Sequence, residues 1–114
     1  MAALAQYPVV QSAVDAMDLD SLVHFVGELS GEVPVDVGSG PVTIVSRHKL
    51  AAGNPIAADL LEQRLAEWGY VPQVQVFSGG TGENILAVKQ GSLYPERRVI
   101  LCGHYDAMPG GPVA

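Results

Sequence analysis

Four apolar residues run directly into a polar motif in the stretch Val99-Ile100-Leu101-Cys102-Gly103-His104-Tyr105-Asp106. A continuous apolar run of this length predicts a strand covered on both faces, as the central strands of α/β sheets are. Such sheets bind ligands beyond the carboxyl ends of their strands. We therefore expect the motif to lie at a ligand-binding edge of an α/β sheet, with Cys102 packed in the core as a small apolar residue.

His104 and Asp106 are two residues apart, so in an extended segment their side chains point to the same side, opposite to Tyr105. Asp106 can then accept a hydrogen bond from one imidazole nitrogen and aim the other at a metal ion, or it can share a cation with His104. A His-x-Asp sequence also occurs as an ordinary surface pair, so the motif alone leaves both interpretations open. Tyr105 either lines the site or packs on the opposite face.

Far upstream of the motif, the sequence predicts helical segments near the N-terminus. Residues 2–17 are mildly apolar and interrupted by Pro8, which indicates a helix or an arm. A helix is predicted from Leu19 to Leu29, with Asp18 or Asp20 as its N-cap and Gly31 at its end.

The second predicted helix spans Pro55 to Trp68, with Asn54 as N-cap and Gly69 as terminator. Between the helices, Val42 to Val45 is a β-branched run typical of a strand.

A β-hairpin is predicted after the second helix. Val74-Gln75-Val76 alternates apolar and polar residues, and Asn84 to Lys89 has the composition of a second strand. The turn between them, Ser78 to Gly82, is rich in glycine but lacks the Lys-Ser/Thr sequence of a phosphate-binding loop.

The composition excludes several classes of protein. Six Lys and Arg against twelve Asp and Glu give a net charge of −6, which disfavours nucleic acid and anionic membrane surfaces as partners. No run approaches the ~20 apolar residues of a membrane span, and Met1 to Pro8 lacks the charge and apolar stretch of a signal peptide. An exported parent protein would carry its signal elsewhere, so no compartment is assigned. The single cysteine excludes an internal disulfide and a cysteine-based zinc cluster.

The motif with its upstream sequence resembles the zinc-dependent exopeptidase family, which includes bacterial leucyl aminopeptidases, aminopeptidase S and aminopeptidase Y. The apolar strand ending in Gly103-His104-Tyr105-Asp106 is the most specific part of the resemblance. Matching features upstream are Ser46-Arg47-His48, Gly53-Asn54, the helix ending in Glu67-Trp68-Gly69-Tyr70, and Asn84-Ile85-Leu86-Ala87. The resemblance covers roughly residues 42–114 and is faint over residues 1–41.

The resemblance implies a peptidase with two zinc ions and a bridging water. His104 would be a metal ligand, and Asp106 would act at the catalytic site by holding its imidazole. The implied fold is part of a three-layer α/β/α domain with a mixed sheet, cut after the strand of the first metal motif. Residues 1–41 would form an N-terminal helical arm, and residues 42–114 the first portion of the catalytic domain. The implied partner is a peptide that is cleaved at its N-terminal bond.

The family's bridging Asp and its later ligands have no counterpart here, because the sequence ends at Ala114. One histidine with a nearby carboxylate falls short of the three protein ligands of catalytic zinc, so we expect little activity from this chain alone. The motif does not separate aminopeptidases from carboxypeptidases or glutaminyl cyclases of similar fold. The alternative is a non-catalytic α/β binding or assembly module.

Three further expectations concern single residues and the sheet edge. His24 and His48 are expected to be a helix-surface residue and a loop residue, without a metal role. With no later strands beside it, the Val99–Cys102 strand would expose an apolar edge, which favours self-association.

Overall fold

The computed structural model describes residues 7–108, a small mixed helix-and-strand chain of the α/β kind. Both sheets in this range are two-stranded and antiparallel. The elements, in chain order, are α1 (Pro8–Asp15), α2 (Leu19–Ser30), β1 (Val35–Asp36), β2 (Pro41–Val42), α3 (Gly53–Glu67), β3 (Gln73–Phe77) and β4 (Gly82–Leu86), with a 3₁₀ turn at Ser78–Gly80.

The first two helices agree closely with the sequence. Pro8 begins α1 instead of interrupting a helix, because its missing N–H costs nothing in the first turn; residues 2–6 of the predicted arm lie outside the described residues. Asp18 is the N-cap of α2 and accepts a hydrogen bond from the backbone N–H of Asp20. At the other end Gly31 adopts φ 81°, in the left-handed region, as predicted.

Helix α3 begins earlier than predicted. Its first residue is Gly53, with Ala52 at the N-cap and no capping side chain, so the prediction of Asn54 as N-cap is wrong. The Asn54 amide instead donates to the carbonyl oxygen of Arg47 at 3.0 Å. Gly53 is required at this start, because a Cβ there would collide with the carbonyl oxygen of Ser46.

The predicted end of α3 is confirmed. Gly69 has φ 85°, its N–H donates to Ala66, and the N–H of Tyr70 donates to Leu65. This pair of hydrogen bonds is a Schellman motif, which satisfies the last carbonyl groups of the helix.

The predicted hairpin is present with a small shift in its second strand. Strands β3 and β4 pair from Gln73↔Leu86 to Phe77↔Gly82, so the second strand starts two residues earlier and ends three residues earlier than predicted. A second, shorter hairpin pairs Val35 with Val42. The strand predicted over residues 42–45 is correspondingly wrong beyond Val42, since the described chain offers no further pairing partner there.

A small core lies where the short hairpin meets the helices. Val35, Ile44, Ala57 and Leu60 are buried at 2% exposure or less. The residues packed around them are only partly buried, namely Phe25, Leu29, Val37, Val42, Ile56 and Tyr105. The core thus joins α2 and α3 to the segment that carries the motif.

The prediction of a buried central strand at Val99–Cys102 is wrong for this structure. No strand is assigned to these residues, and Val99, Ile100 and Leu101 are 91%, 84% and 93% exposed. Cys102 is also exposed, so it is not the core residue that the sequence predicted. The reason is that no element within residues 7–108 pairs with this run or covers it.

Within residues 7–108, no helix is both long enough and apolar enough to cross a bilayer.

Candidate functional site

The side chains of His104 and Asp106 are in direct contact. His104 Nδ1 lies 2.9 Å from Asp106 Oδ1, and their side chains are 92% and 37% exposed. An ionised carboxylate can only accept, so the contact requires the ring proton on Nδ1. That leaves the lone pair of Nε2 for a cation, which is the arrangement of carboxylate-supported histidine ligands.

Tyr105 lies between the pair in sequence and turns toward the protein. Its hydroxyl donates to the carbonyl oxygen of Glu83 at 3.0 Å, and its ring packs against the core. Burial, together with the nearby carboxylates of Glu83 and Asp106, raises the pKa of Tyr105 above its ordinary value. Because Tyr105 also borders the cavity beside His104, it both packs and lines the site.

Arg47 holds the backbone segment that carries His104 and Asp106. Its Nη1 donates to the carbonyl oxygen of Tyr105 at 3.0 Å, and its own carbonyl oxygen accepts from the N–H of Ala107 at 3.2 Å. The same carbonyl oxygen accepts from Asn54 at the start of α3. The motif is therefore tied to α3 through residues that are far away in sequence.

A cavity of about 470 Å³ lies beside the pair. One part of its lining comes from the Cys102–Asp106 segment and another from the β3–β4 hairpin, including Glu83 and Asn84. Lys49 adds a cationic group to the lining. A volume of this size is within the range of small-molecule and short-peptide sites.

The donor set fits one part of a zinc site. An imidazole held by a carboxylate is a common zinc ligand, and zinc binds histidine nitrogen readily. Catalytic zinc usually has three protein ligands, and among residues 7–108 no three His, Cys, Asp or Glu side chains are grouped closely enough to hold a metal ion. The geometry of His104 and Asp106 thus fits a single ligand and its supporting carboxylate.

The other two histidines lie at the predicted positions, one on a helix surface and one in a loop. His24 Nε2 is 3.6 Å from Glu28 Oε1 on the surface of α2. His48 Nδ1 accepts a hydrogen bond from the N–H of Leu50 at 3.2 Å, within the loop before α3. Neither is among the residues that line the cavity at His104.

Sequence reasoning did not anticipate the roles of Arg47, Asn54 and Glu83. The first two lie in segments that resemble the exopeptidase family, which was the only signal that could have drawn attention to them. Glu83 contributes a backbone carbonyl to Tyr105, and no side-chain pattern can reveal such a contact.

Comparison of the chain with family models, with curated proteins and with solved structures gave no match.

Proposed function

We propose that this chain carries the first metal-binding motif of a zinc-dependent aminopeptidase, with His104 as a zinc ligand and Asp106 as the carboxylate that orients it. The observation that carries the proposal is the 2.9 Å contact between His104 Nδ1 and Asp106 Oδ1 beside a cavity. The contact leaves Nε2 as the ligand atom and fixes the direction in which it points.

The proposed fold is the first part of a three-layer α/β/α zinc-exopeptidase domain. Helix α3, the β3–β4 hairpin and the motif follow one another in the order in which the family arranges its matching segments. In a protein that supplies the remaining ligands, Val99–Cys102 would be a covered strand leading into the site.

The proposed reaction is hydrolysis of the N-terminal peptide bond of a peptide. Zinc would polarise the scissile carbonyl group and activate the attacking water. Within this chain, His104 would bind the metal, Asp106 would hold the ring proton, and Arg47 with Tyr105 would keep the motif against the core. Residues 7–108 provide one clear ligand, so we expect no measurable turnover from this chain by itself.

A second candidate is a non-catalytic binding or assembly module. The observation that favours it is the exposure of Val99, Ile100 and Leu101, since apolar runs on a protein surface mark interaction sites. In that case the His104–Asp106 contact would be an ordinary surface pair.

Zinc titration by calorimetry distinguishes the two candidates. We expect weak binding of zinc to the intact chain, loss of that binding in His104→Ala, and about tenfold to hundredfold weaker binding in Asp106→Asn. His24→Ala is the matched control, because His24 lies on α2 beside Glu28 and does not border the cavity. Zinc binding that survives in His104→Ala contradicts the aminopeptidase proposal, and so does its complete absence in the intact chain.

A further inference from the structure

The segment that carries the motif is held to the rest of the protein at few points. Residues 87–103 contain no helix or strand, and most of them are exposed. Beyond this segment, three hydrogen bonds at Tyr105 and Ala107 connect the motif to the core region. The orientation of His104 therefore depends on a small number of contacts, two of which involve Arg47.

Arg47 contacts the motif from two directions. Its guanidinium Nη1 binds the carbonyl oxygen of Tyr105, and its carbonyl oxygen binds the N–H of Ala107. These two peptide groups lie on either side of Asp106. The backbone of the residue that orients His104 is thus fixed before and after its side chain, across 58 residues of sequence.

The position of the Arg47 guanidinium is energetically unfavourable in one respect. Arg47 Nε is buried and has no hydrogen-bond partner among the described residues. A buried donor without a partner is unfavourable, and native proteins contain few of them. The hydrogen bond that Nη1 of the same guanidinium donates to the carbonyl oxygen of Tyr105 offsets part of this unfavourable free energy.

Asn54 connects Arg47 to helix α3. Its amide in the first turn of α3 donates to the carbonyl oxygen of Arg47, the same atom that accepts from Ala107. The Arg47 carbonyl oxygen can accept both hydrogen bonds because it has two lone pairs. The line of contacts runs from α3 through Arg47 to the peptide groups around Asp106.

From these contacts we infer that Arg47 is a positioning residue, which holds Asp106 so that its carboxylate keeps the proton of His104 on Nδ1. The hydrogen bonds themselves do not depend on zinc. Their importance for metal binding rests on the proposed function, because a metal ligand requires Nε2 to remain unprotonated.

The test is the tautomer of His104 in the full chain, read from the ¹⁵N shifts of its two ring nitrogens. We expect the Nδ1–H form to predominate in the unaltered protein. Arg47→Met keeps the aliphatic stem and removes the donor, and it should shift the ratio toward Nε2–H by about threefold to tenfold, the effect of losing one hydrogen bond. Arg47→Lys, which retains a donor, should restore part of the ratio. Arg98→Met is the control, because Arg98 is exposed.

Amide hydrogen exchange separates positioning from general destabilisation. In Arg47→Met the N–H of Ala107 should exchange about tenfold faster, while the amides of α3 keep their rates. Unchanged exchange at Ala107 with an unchanged tautomer ratio overturns the inference. Should Arg47→Met fail to fold, the unaltered protein decides the matter: exchange at Ala107 as fast as at exposed Gly103 overturns the inference, and at least tenfold protection supports it.

Zinc titration of the same variants distinguishes failure of this inference from failure of the proposed function. If both are correct, Arg47→Met weakens zinc binding about tenfold or more, as the loss of outer-shell support does elsewhere. If the unaltered protein binds no zinc at His104, the proposed function fails, and the tautomer and exchange measurements still decide the role of Arg47.

Discussion

The Tyr105 hydroxyl donates a hydrogen bond to the carbonyl oxygen of Glu83 at 3.0 Å, which ties the motif to the start of strand β4. The carboxylates of Glu83 and Asp106 are near enough to this phenol to raise its pKa further. A neutral phenol can donate this bond, whereas a phenolate cannot. The attachment of the motif is therefore sensitive to alkaline pH.

Tyr105 is expected to ionise at higher pH than an ordinary tyrosine. Burial is the main cause, and repulsion from Glu83 and Asp106 adds to it, so the pKa of Tyr105 lies above its ordinary value of 10.0. Below about pH 10 the phenol is neutral in the folded and unfolded states, and its full contribution to stability is present. As the pH rises toward the folded pKa, the unfolded chain loses its proton first and stability falls. Alkaline titration of the phenolate absorbance checks this.

The matched variants for this prediction are Tyr105→Phe and Tyr94→Phe. Tyr105→Phe should remove the highest step of the titration, flatten the alkaline loss of stability and cost about 1 kcal/mol at neutral pH through the lost hydrogen bond. The Tyr94 ring is 57% exposed and lies under Arg97, so its replacement should leave the step in place. If Tyr105→Phe instead removes an ordinary step and leaves the highest one in place, the environment of this phenol is ordinary.

A second prediction concerns the buried carboxylate of Glu28, which joins α2 to α3. Glu28 is 4% exposed and accepts a hydrogen bond from Arg64 Nη2 at 2.5 Å, while its Oε2 is buried without a partner among the described residues. Arg64→Met leaves this charge without its cation. We expect the free energy of unfolding to fall by about 2 to 4 kcal/mol, because a buried charge that loses its partner is strongly unfavourable. Urea unfolding measures the loss.

The control for Arg64→Met is Glu67→Gln. Hydrogen bonds from Arg64 and then Gln63 lower the pKa of Glu67, but its side chain is 47% exposed, so water screens the pair. Its contribution is present above the ordinary pKa of 4.5 and is lost as the pH falls through the lowered value. Glu67→Gln should therefore cost much less than Arg64→Met. Equal losses of unfolding free energy in the two variants would mean that the stabilisation comes from the exposed Arg64–Glu67 pair instead of from the buried carboxylate of Glu28.

The parts of the fold that were predictable are those fixed by neighbouring residues. Helix α2 was expected from Leu19 to Leu29 and is found from Leu19 to Ser30, because its cap at Asp18 and its end at Gly31 are local. The start of α3 was misplaced because Asn54 bonds to Arg47, seven residues away, instead of capping its own helix.

The same distinction applies to the site. The pairing of His104 with Asp106 follows from the two-residue period of an extended chain, and the structure places the two side chains in contact. The buried strand at Val99–Cys102 depended on neighbours that residues 7–108 do not supply. The role of Arg47 spans 58 residues of sequence, which no local pattern encodes.

A third prediction compares two glycines that end helices. Gly31 and Gly69 have φ 81° and 85°, so alanine is strained at both positions by about 1 to 2 kcal/mol. A Cβ on Gly31 would also collide with the carbonyl oxygen of Ile44, whereas a Cβ on Gly69 meets nothing within 4 Å. Gly31→Ala should therefore lower the free energy of unfolding by at least about 1 kcal/mol more than Gly69→Ala. Similar losses in thermal unfolding would mean that the backbone near Ile44 moves aside.

The last prediction is that the chain associates with a second copy of itself through Val99–Cys102. This run is exposed and unpaired, and within the described residues β4 pairs only with β3, so one edge of β4 also lacks a strand. Each chain thus has an unpaired apolar segment and a free sheet edge, and pairing between copies would cover both. Sedimentation velocity should show dimers or larger species that increase with concentration.

Charge and sequence changes give this association a specific signature. The net charge of −6 makes copies repel, so added salt should strengthen the association by screening that repulsion. Ile100→Asp should reduce it, because a charge in the segment cannot be buried without a partner. Val71→Asp introduces the same charge at a residue that is 83% exposed and outside the segment. Since both variants raise the net negative charge equally, a loss of association confined to Ile100→Asp identifies the segment as the interface. A monomer at every concentration and salt level would mean that the exposed run remains in water unpaired.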